Sequence, residues 1–184
     1  MAIWQLAAFL VDDSLTLPGF IQVVQAFLEN WSSIISEDLP VSSLHFSIGL
    51  GAGLLVALPA GMIMGWFKVA DSIMDPIVEL LRPIPPLAWI PFAIIWFGIT
   101  NSAAGFIIFM GAVFPILINT YAGFKSLPRV YVESAKVLGA TRDIDLIRYV
   151  ALPQALPSIA AGIRIAMGIA WMCLVVAEMF GVSK

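Results

Sequence analysis

The chain has 184 residues, of which 61% are hydrophobic and 11% carry a charge, and its mean hydropathy is +1.00. Soluble globular domains carry about 25% charged residues, so this composition excludes an ordinary soluble protein and predicts an integral membrane protein. The net charge of -3 says little about partners, because acidic and basic residues are segregated along the chain. A single cysteine, Cys173, excludes an internal disulfide and a cysteine metal site, and we expect it in the core.

Charge-free runs divide the chain into predicted membrane spans. The first covers residues 44–67, which is long enough for a helix to cross a bilayer. The run 83–124 is too long for one helix and contains a polar triplet at 100–102, so it predicts a short span over 87–99 and another over 104–122. A fourth span is expected over 159–180. Residues 1–11 predict the outer end of a further, partial helix.

The distribution of lysine and arginine predicts the orientation. No basic residue precedes Lys68, whereas five acidic residues lie between positions 12 and 38. Short loops rich in lysine and arginine stay in the cytosol. The loop that contains Lys68 and Arg82 and the segment 125–153 are therefore predicted to be cytosolic, and residues 12–40 to lie outside. The basic residues of segment 125–153 are Lys125, Arg129, Lys136, Arg142 and Arg148.

The segment 133–153, ESAKVLGATRDIDLIRYVALP, is a polar interruption that predicts two short helices. Ser126 is expected to cap the first helix, which ends at Leu138, and Gly139 to adopt the left-handed conformation that closes it. Thr141 is expected to cap the second, which Pro153 ends. Each helix has one apolar face. These faces are Tyr131, Ala135 and Leu138, and Ile144, Ile147 and Ala151.

Taken alone, the segment fits two interpretations. It is either an amphipathic loop on the membrane surface or an element that binds a partner protein. Its pattern resembles the EAA loop of ABC importer permeases. Three further motifs, MDPIVELLRPIPPLAWIPFAIIWFGI (74–99), FPILINTYAGF (114–124) and LPQALPSIAAGIRIAMGIAWMCLVVAEMFG (152–181), follow in the order found in that family. From about residue 43 onward the chain is similar to permease subunits of the nitrate, sulfonate, taurine and bicarbonate group.

The resemblance implies an all-α fold, a polytopic transmembrane helical bundle of the type I ABC importer permease kind. We expect about four full spans and a partial first span. Residues 1–184 would form one transmembrane permease domain, with the cytosolic coupling loop at 125–153 within it. Family members have about six spans, so we expect this domain to be incomplete at both ends. The implied location is the plasma (inner) membrane, which the chain crosses several times.

The implied function is that of the permease subunit of an ATP-driven importer for a small anion such as a sulfonate, taurine, nitrate or bicarbonate. Its partners would be cytosolic ABC ATPase subunits, a second permease copy and an external substrate-binding protein, all at a lipid bilayer, with no nucleic acid. The sequence contains no phosphate-binding loop of the type found in ATPases. We therefore predict that the chain is not an enzyme and holds no cofactor or metal. ATP and Mg would be bound by the partner ATPase.

By the same resemblance, the coupling contacts belong to the end of the first loop helix and the turn after it, and Ser134 replaces the more usual alanine. These residues are Glu133, Ser134, Ala135, Leu138, Gly139 and Ala140. Two further hypotheses stay open. One is an ATP-independent channel or secondary carrier whose polar segment is a mere surface helix, and the other is a membrane scaffold that transports nothing.

Polar residues inside the predicted spans are candidates for the substrate path. Asn119 and Thr120 suit a pore or an interhelical contact. Glu178 suits either an interhelical hydrogen bond or the path itself. Arg164 is expected either to extend to the cytosolic interface or to attract an anion. His45 is expected to be a hydrogen-bonding residue at the outer interface, and the absence of a second histidine excludes a histidine-pair metal site.

Overall fold

The computed structural model describes Trp4, Gln5, Ala8 and residues 17–180. The described residues form helices and connecting turns without any strand, which confirms the predicted all-α class. The chain divides into two units, residues 1–43 and residues 44–184, and each is treated by itself.

The first unit is built around the amphipathic helix α1, Phe20–Glu29. The backbone N–H of Gly19 donates to Oε1 of Gln22 at 3.0 Å, which satisfies a free amide at the start of this helix. Trp4 Nε1 donates to the carbonyl of Pro18 at 3.0 Å. A short turn, Trp31–Ser33, and a π-helical turn, Ile34–Asp38, follow α1. Most of the partial helix predicted at residues 1–11 lies outside the described residues.

The second unit contains most of the helical structure. Its elements are α2 (Leu39–Trp66, which starts in the first unit), α3 (Lys68–Leu81), a 3-10 turn (Pro86–Trp89), α4 (Ile90–Phe97), α5 (Asn101–Lys125), α6 (Arg129–Val137), α7 (Asp143–Leu146), a π-helical turn (Ile147–Ala151) and α8 (Leu152–Met179). Within residues 17–180, three continuous helices are long and apolar enough to cross a membrane. They are Trp31–Trp66, Asn101–Lys125 and Asp143–Met179.

The short span predicted over 87–99 is not a crossing helix by itself but one arm of a bent pair. Helix α4 has 8 residues, which is about 12 Å at the rise of an α-helix and too short to span the hydrocarbon. Proline residues separate it from α3, because their rings and missing amides break helical hydrogen bonding. The two arms meet at a bend of 85°. The described part of the chain therefore has three continuous helices able to cross a membrane, or four spans if the bent pair counts as one, in line with the predicted count of about four.

Helix α3 has a different character from the crossing helices. Its 14 residues include Lys68, Asp71, Asp75 and Glu79. Charged side chains are costly at the centre of a bilayer. These charges distinguish α3 from the three long apolar helices.

Helix α5 is the centre of the second unit, with α2 against it. Along α2 the contact is a stripe of small residues at every fourth position. A Cβ added to Gly49 would lie 2.6 Å from Cβ of Ile108, and one added to Gly61 would lie 2.7 Å from the carbonyl oxygen of Leu117. In lipid, where apolar side chains gain little by leaving the solvent, such close backbone approach is what holds helices together.

Helix α8 packs against α5 in the same way. A Cβ on Gly111 of α5 would lie 2.8 Å from Sγ of Cys173, and one on Gly162 of α8 would lie 2.6 Å from Cβ of Asn119. Cys173 is buried, which confirms the prediction that it is a core residue. Helix α4 is attached to α5 by aromatic contacts, in which Phe106 meets the rings of Trp96 and Phe97 at centroid distances of 5.9 and 5.5 Å.

Candidate functional site

The turn after α6 closes that helix by a Schellman motif. Gly139 has φ of +100°, a conformation that residues with a Cβ rarely adopt. The N–H of Gly139 donates to the carbonyl of Lys136, and the N–H of Ala140 donates to the carbonyl of Ala135, both at 3.0 Å. These two bonds satisfy carbonyls at the helix end and define the motif. The left-handed conformation predicted for Gly139 at the end of the helix is confirmed.

The predicted coupling residues lie together around this turn, and most are exposed. Glu133 and Ser134 face solvent, whereas Ala135 and Ala140 are partly buried. At the tip, Val137 and Leu138 are 88% and 87% exposed. The apolar face predicted for the first loop helix is therefore not buried within residues 44–180. The turn presents two adjacent apolar side chains on an otherwise polar segment.

The second half of the loop is anchored to the bundle. Leu146 and Ala151 are buried, and Ala151 belongs to a small core with Phe124, Ala155 and Ile159. Of the face predicted for this helix, Ala151 is buried and Ile147 packs against that core, whereas Ile144 is exposed. The second half of the loop is thus packed against the bundle, whereas the turn at Val137 and Leu138 is exposed.

Three predicted helix boundaries in the loop are wrong. Ser126 does not cap α6; it follows α5, and its Oγ donates back to the carbonyl of Gly123 at 3.1 Å. Arg142, not Thr141, precedes α7. Pro153 does not end the second helix, which continues into α8. The π-helical turn before it shifts the hydrogen-bonding register, so a residue without an N–H fits at that point.

A polar network lies where α5 ends and α3 begins. Nζ of Lys125 lies 3.1 Å from Oδ2 of Asp71 and also donates to the hydroxyl oxygen of Tyr121. Hydrogen bonds from Tyr121 and then from Lys125 hold the pKa of the Asp71 carboxyl below its ordinary value of 3.8, because both stabilise the ionised form. The network ties α5, the helix that leads into the loop, to α3.

A cavity of about 350 Å³ lies between α5, α8 and the segment that joins α3 to α4. Its lining is largely apolar, with Arg82 and Asn119 as its charged and amide side chains. Asn119 Nδ2 donates to the carbonyl of Pro115 at 2.8 Å, which orients the amide. Of the four predicted path residues, Asn119 alone lines this cavity.

The other three path candidates occupy different surroundings. Thr120 is fully buried where α5 contacts α2. A Cβ added to Gly61 of α2 would lie 2.8 Å from Cβ of Thr120. Arg164 is exposed on α8. Glu178 is partly buried, and its Oε1 lies 3.8 Å from Nδ1 of His45. The structure therefore does not gather the four residues at one site.

Two polar residues occupy positions that the sequence interpretation did not anticipate. His45 was predicted at the interface as a hydrogen-bonding residue, but it is fully buried and neither ring nitrogen has a hydrogen-bond partner among the described residues. It begins the small-residue stripe of α2, and a helical period of four from Gly49 would have placed it there. Arg82 was assigned only to a loop. Its place at the cavity depends on the bend between α3 and α4; the prolines there predict a break in the helix but not the angle of the bend.

Comparison with known proteins agrees with this architecture. The family model described as "Binding-protein-dependent transport system inner membrane component" matches residues 51–184. The chain belongs to this family. It is a subunit of a membrane transport system and not an enzyme, and it is a multi-pass membrane protein.

Individual relatives of this permease are similar over nearly its whole length. It is 40% identical to a putative ABC transporter permease protein of Methanocaldococcus jannaschii, over 100% of this chain and 70% of the relative. It is 34% identical to the taurine transport system permease protein of Escherichia coli, over 98% and 68%. It is 35% identical to the nitrate import permease protein of Synechococcus elongatus, over 97% and 67%.

Proposed function

We propose that this chain is the permease subunit of an ATP-driven importer for a small anion, and that segment 125–153 is the coupling loop that binds a cytosolic ABC ATPase. The proposed contact is the turn formed by Glu133, Ser134, Ala135, Leu138, Gly139 and Ala140. ATP and Mg would be bound by the ATPase. The two remaining interpretations, an ATP-independent channel or carrier and a scaffold, are outcomes of the test below.

The exposed tip of the loop is the observation that carries the proposal. Val137 and Leu138 are almost fully exposed, although exposure of adjacent large apolar side chains in water is unfavourable. A backbone motif rather than side-chain packing holds the turn in shape. Such a preformed apolar tip, with Glu133 beside it, suits insertion into a cleft of a partner. The anchored half of the loop can then transmit a movement to α8.

The charge distribution supports a cytosolic position for the loop. Lys68, Lys125 and Arg129 lie near the ends of α2 and α5 and the starts of α3 and α6. Positively charged residues next to span ends favour the cytosolic side. A loop on that side is accessible to an ATPase, and the opposite side is then available to an external binding protein. A second permease copy would complete the assembly.

Two observations support a small anion as the substrate. The relatives are named for taurine and nitrate transport, and a further one, from Escherichia coli and 39% identical, for aliphatic sulfonates. Nitrate and the sulfonate group are negatively charged. The cavity of about 350 Å³ carries Arg82 as its charged residue, and a guanidinium suits planar or tetrahedral oxyanions. We therefore add Arg82 to Asn119 as a path residue, and keep Thr120, Arg164 and Glu178 as candidates.

The mechanism that follows is alternating access. ATP binding draws two ATPase subunits together. Each ATPase subunit moves the coupling loop of the permease copy to which it is bound. Because Ala151 and Ile147 pack against the core at the start of α8, displacement of the loop moves that helix relative to α5. The cavity of about 350 Å³ lies between α5 and α8, so a movement of α8 relative to α5 changes its shape. Opening it to the outside would admit the anion that the binding protein delivers.

Co-purification with the ATPase of the same transport system tests the proposal. The ATPase is expected to remain bound to the full chain in detergent and to be lost from Glu133→Arg, which reverses an exposed charge. Gly139→Pro should also release it, since proline cannot adopt a positive φ. Gly139→Asn should retain it, because asparagine tolerates the left-handed conformation.

Glu29→Arg is the matched control, since it reverses another exposed carboxylate, on α1 outside the loop. It should leave ATPase binding unchanged. Failure of any ATPase to associate with the wild-type chain would contradict the importer and favour a channel, carrier or scaffold. Equal binding by Glu133→Arg and wild type would remove this turn from the interface.

A further inference from the structure

A second cavity lies at the base of the loop, separate from the proposed anion path. Its volume is about 540 Å³, and it is formed where α2 and α5 end and where α3 and α6 begin. Three cationic side chains and one carboxylate line it. These are Lys68, Lys125, Arg129 and Asp71.

The charges around this cavity are not balanced. Lys125 is paired with Asp71 at 3.1 Å. Among the described residues, no carboxylate oxygen lies within 4.0 Å of a side-chain nitrogen of Lys68 or Arg129. The lining therefore carries a net charge of +2, held by these two residues. Both are exposed, so their head groups are free to turn toward a ligand.

Apart from Ser72, the remaining side chains of the lining are apolar. Trp66 and Leu127 are partly buried there, and Met64 and Phe124 are buried beneath them. A free inorganic anion would use the cations and leave this apolar surface without a function. A lipid would use both, with its phosphate at the cations and its glycerol and acyl groups along the apolar wall. The site lies at the ends of two helices that are long and apolar enough to cross a membrane, where we expect lipid head groups.

We propose that this cavity binds the phosphate of an anionic phospholipid, with Lys68 and Arg129 as its ligands and Lys125 held aside by Asp71. Basic residues next to span ends attract anionic lipids. Arg129 is the first residue of α6, so the bound lipid would fasten the start of the loop to the membrane surface. The proposal depends on neither the ATPase contact nor the identity of the substrate.

The test is lipid binding to the full chain, purified in a neutral detergent and measured by native mass spectrometry. The probes are phosphatidylglycerol, phosphatidylcholine with the same acyl chains, and inorganic phosphate. Phosphatidylglycerol is expected to bind, and phosphatidylcholine and inorganic phosphate to bind at least tenfold more weakly. Each cation near the surface contributes about fivefold, so K68Q/R129Q should weaken phosphatidylglycerol binding about 25-fold.

The control variant K136Q/R142Q removes the same charge from exposed loop residues that do not line the cavity. Its affinity should stay within about twofold of wild type. Equal binding of the two lipids, or equal weakening in the two double variants, would overturn the proposal. Inorganic phosphate that binds as tightly as phosphatidylglycerol would identify the site as one for a free anion instead. If K68Q/R129Q does not fold, the single variants K68Q and R129Q should each show about a fivefold loss.

Discussion

At the scale of single residues, Gly139 shows how one backbone conformation shapes the loop. A Cβ at this position would meet nothing within 4 Å, so space does not restrict it. The restriction is the φ of +100°, which costs a residue with a side chain about 1–2 kcal/mol. A glycine after the last apolar position of a helix predicts this geometry, because the rule depends on local backbone sterics alone.

The pair Asp71 and Lys125 gives a pH prediction. The folded-state pKa of Asp71 lies below 3.8, so its ionised form contributes stability that is fully present at neutral pH and is lost as the pH falls through that lowered pKa. At pH 7 the wild type should therefore have a higher melting temperature than the Asp71→Asn variant. This difference in melting temperature should disappear with acidification below about pH 4. Melting temperatures of both proteins in detergent across this range are the measurement.

Lys125→Gln provides the control for this pair. Because the two side chains act together, the double variant should melt close to either single variant rather than show the sum of their effects. A gap between wild type and Asp71→Asn that persists undiminished at pH 3 would contradict the assignment. So would strict additivity of the two substitutions.

Residues whose surroundings come from distant parts of the chain were not predictable in this way. His45 looked interfacial because it starts an apolar run, yet it is fully buried and its Nδ1 lies 3.8 Å from Oε1 of Glu178 on α8. Arg82 looked like an ordinary loop cation, yet the bend of 85° between α3 and α4 brings it to a cavity. In both cases the neighbouring residues lie far along the sequence; the helical period places His45 on the buried face of α2 but does not identify its neighbours.

At the scale of elements, α2 shows which small residues matter. The sequence draws attention to glycines on alternate positions, Gly49, Gly51 and Gly53, but Gly51 faces open space. The contact with α5 instead follows every fourth residue, as the geometry of a helix requires. A glycine count predicts close packing in a membrane helix. The face of α2 that packs against α5 is identified only when residues are taken at the helical spacing of about four.

Alanine substitutions on α2 test this distinction. Gly61→Ala places a Cβ 2.7 Å from the backbone oxygen of Leu117, and relief requires the helices to separate. Overpacking of this kind costs about 1–3 kcal/mol, and we expect that loss in the free energy of unfolding measured by denaturant titration in mixed micelles. The matched variant Gly51→Ala should be neutral or stabilising by up to about 1 kcal/mol, because its Cβ meets nothing. Equal losses in the two variants would contradict the packing of α2 on α5.

The same scale explains the boundaries that prediction missed. Pro153 ends a helix in most contexts, but here the π-helical turn Ile147–Ala151 precedes it and the helix continues. That turn joins α7 to α8 without a break in the helix. Pro153 therefore lies inside a continuous helix and does not end one.

At the scale of the whole molecule, composition and motif order predicted more than periodicity did. The apolar content predicted the membrane class, and the three motifs predicted the permease family that the family model matches over residues 51–184. The number of straight spans was less predictable. Charge-free length alone cannot distinguish a crossing helix from the short arm of a bent pair, because both exclude charge from lipid.

ATP-driven uptake is the measurement that tests the central claim most directly. The permease would be reconstituted in lipid vesicles with its ATPase and binding protein, and labelled taurine, nitrate and an alkanesulfonate offered on the side of the binding protein. We predict accumulation of at least one of these anions that requires ATP and falls to background with Glu133→Arg. Uptake at the same rate without ATP, or unchanged uptake by Glu133→Arg, would contradict coupling through the loop.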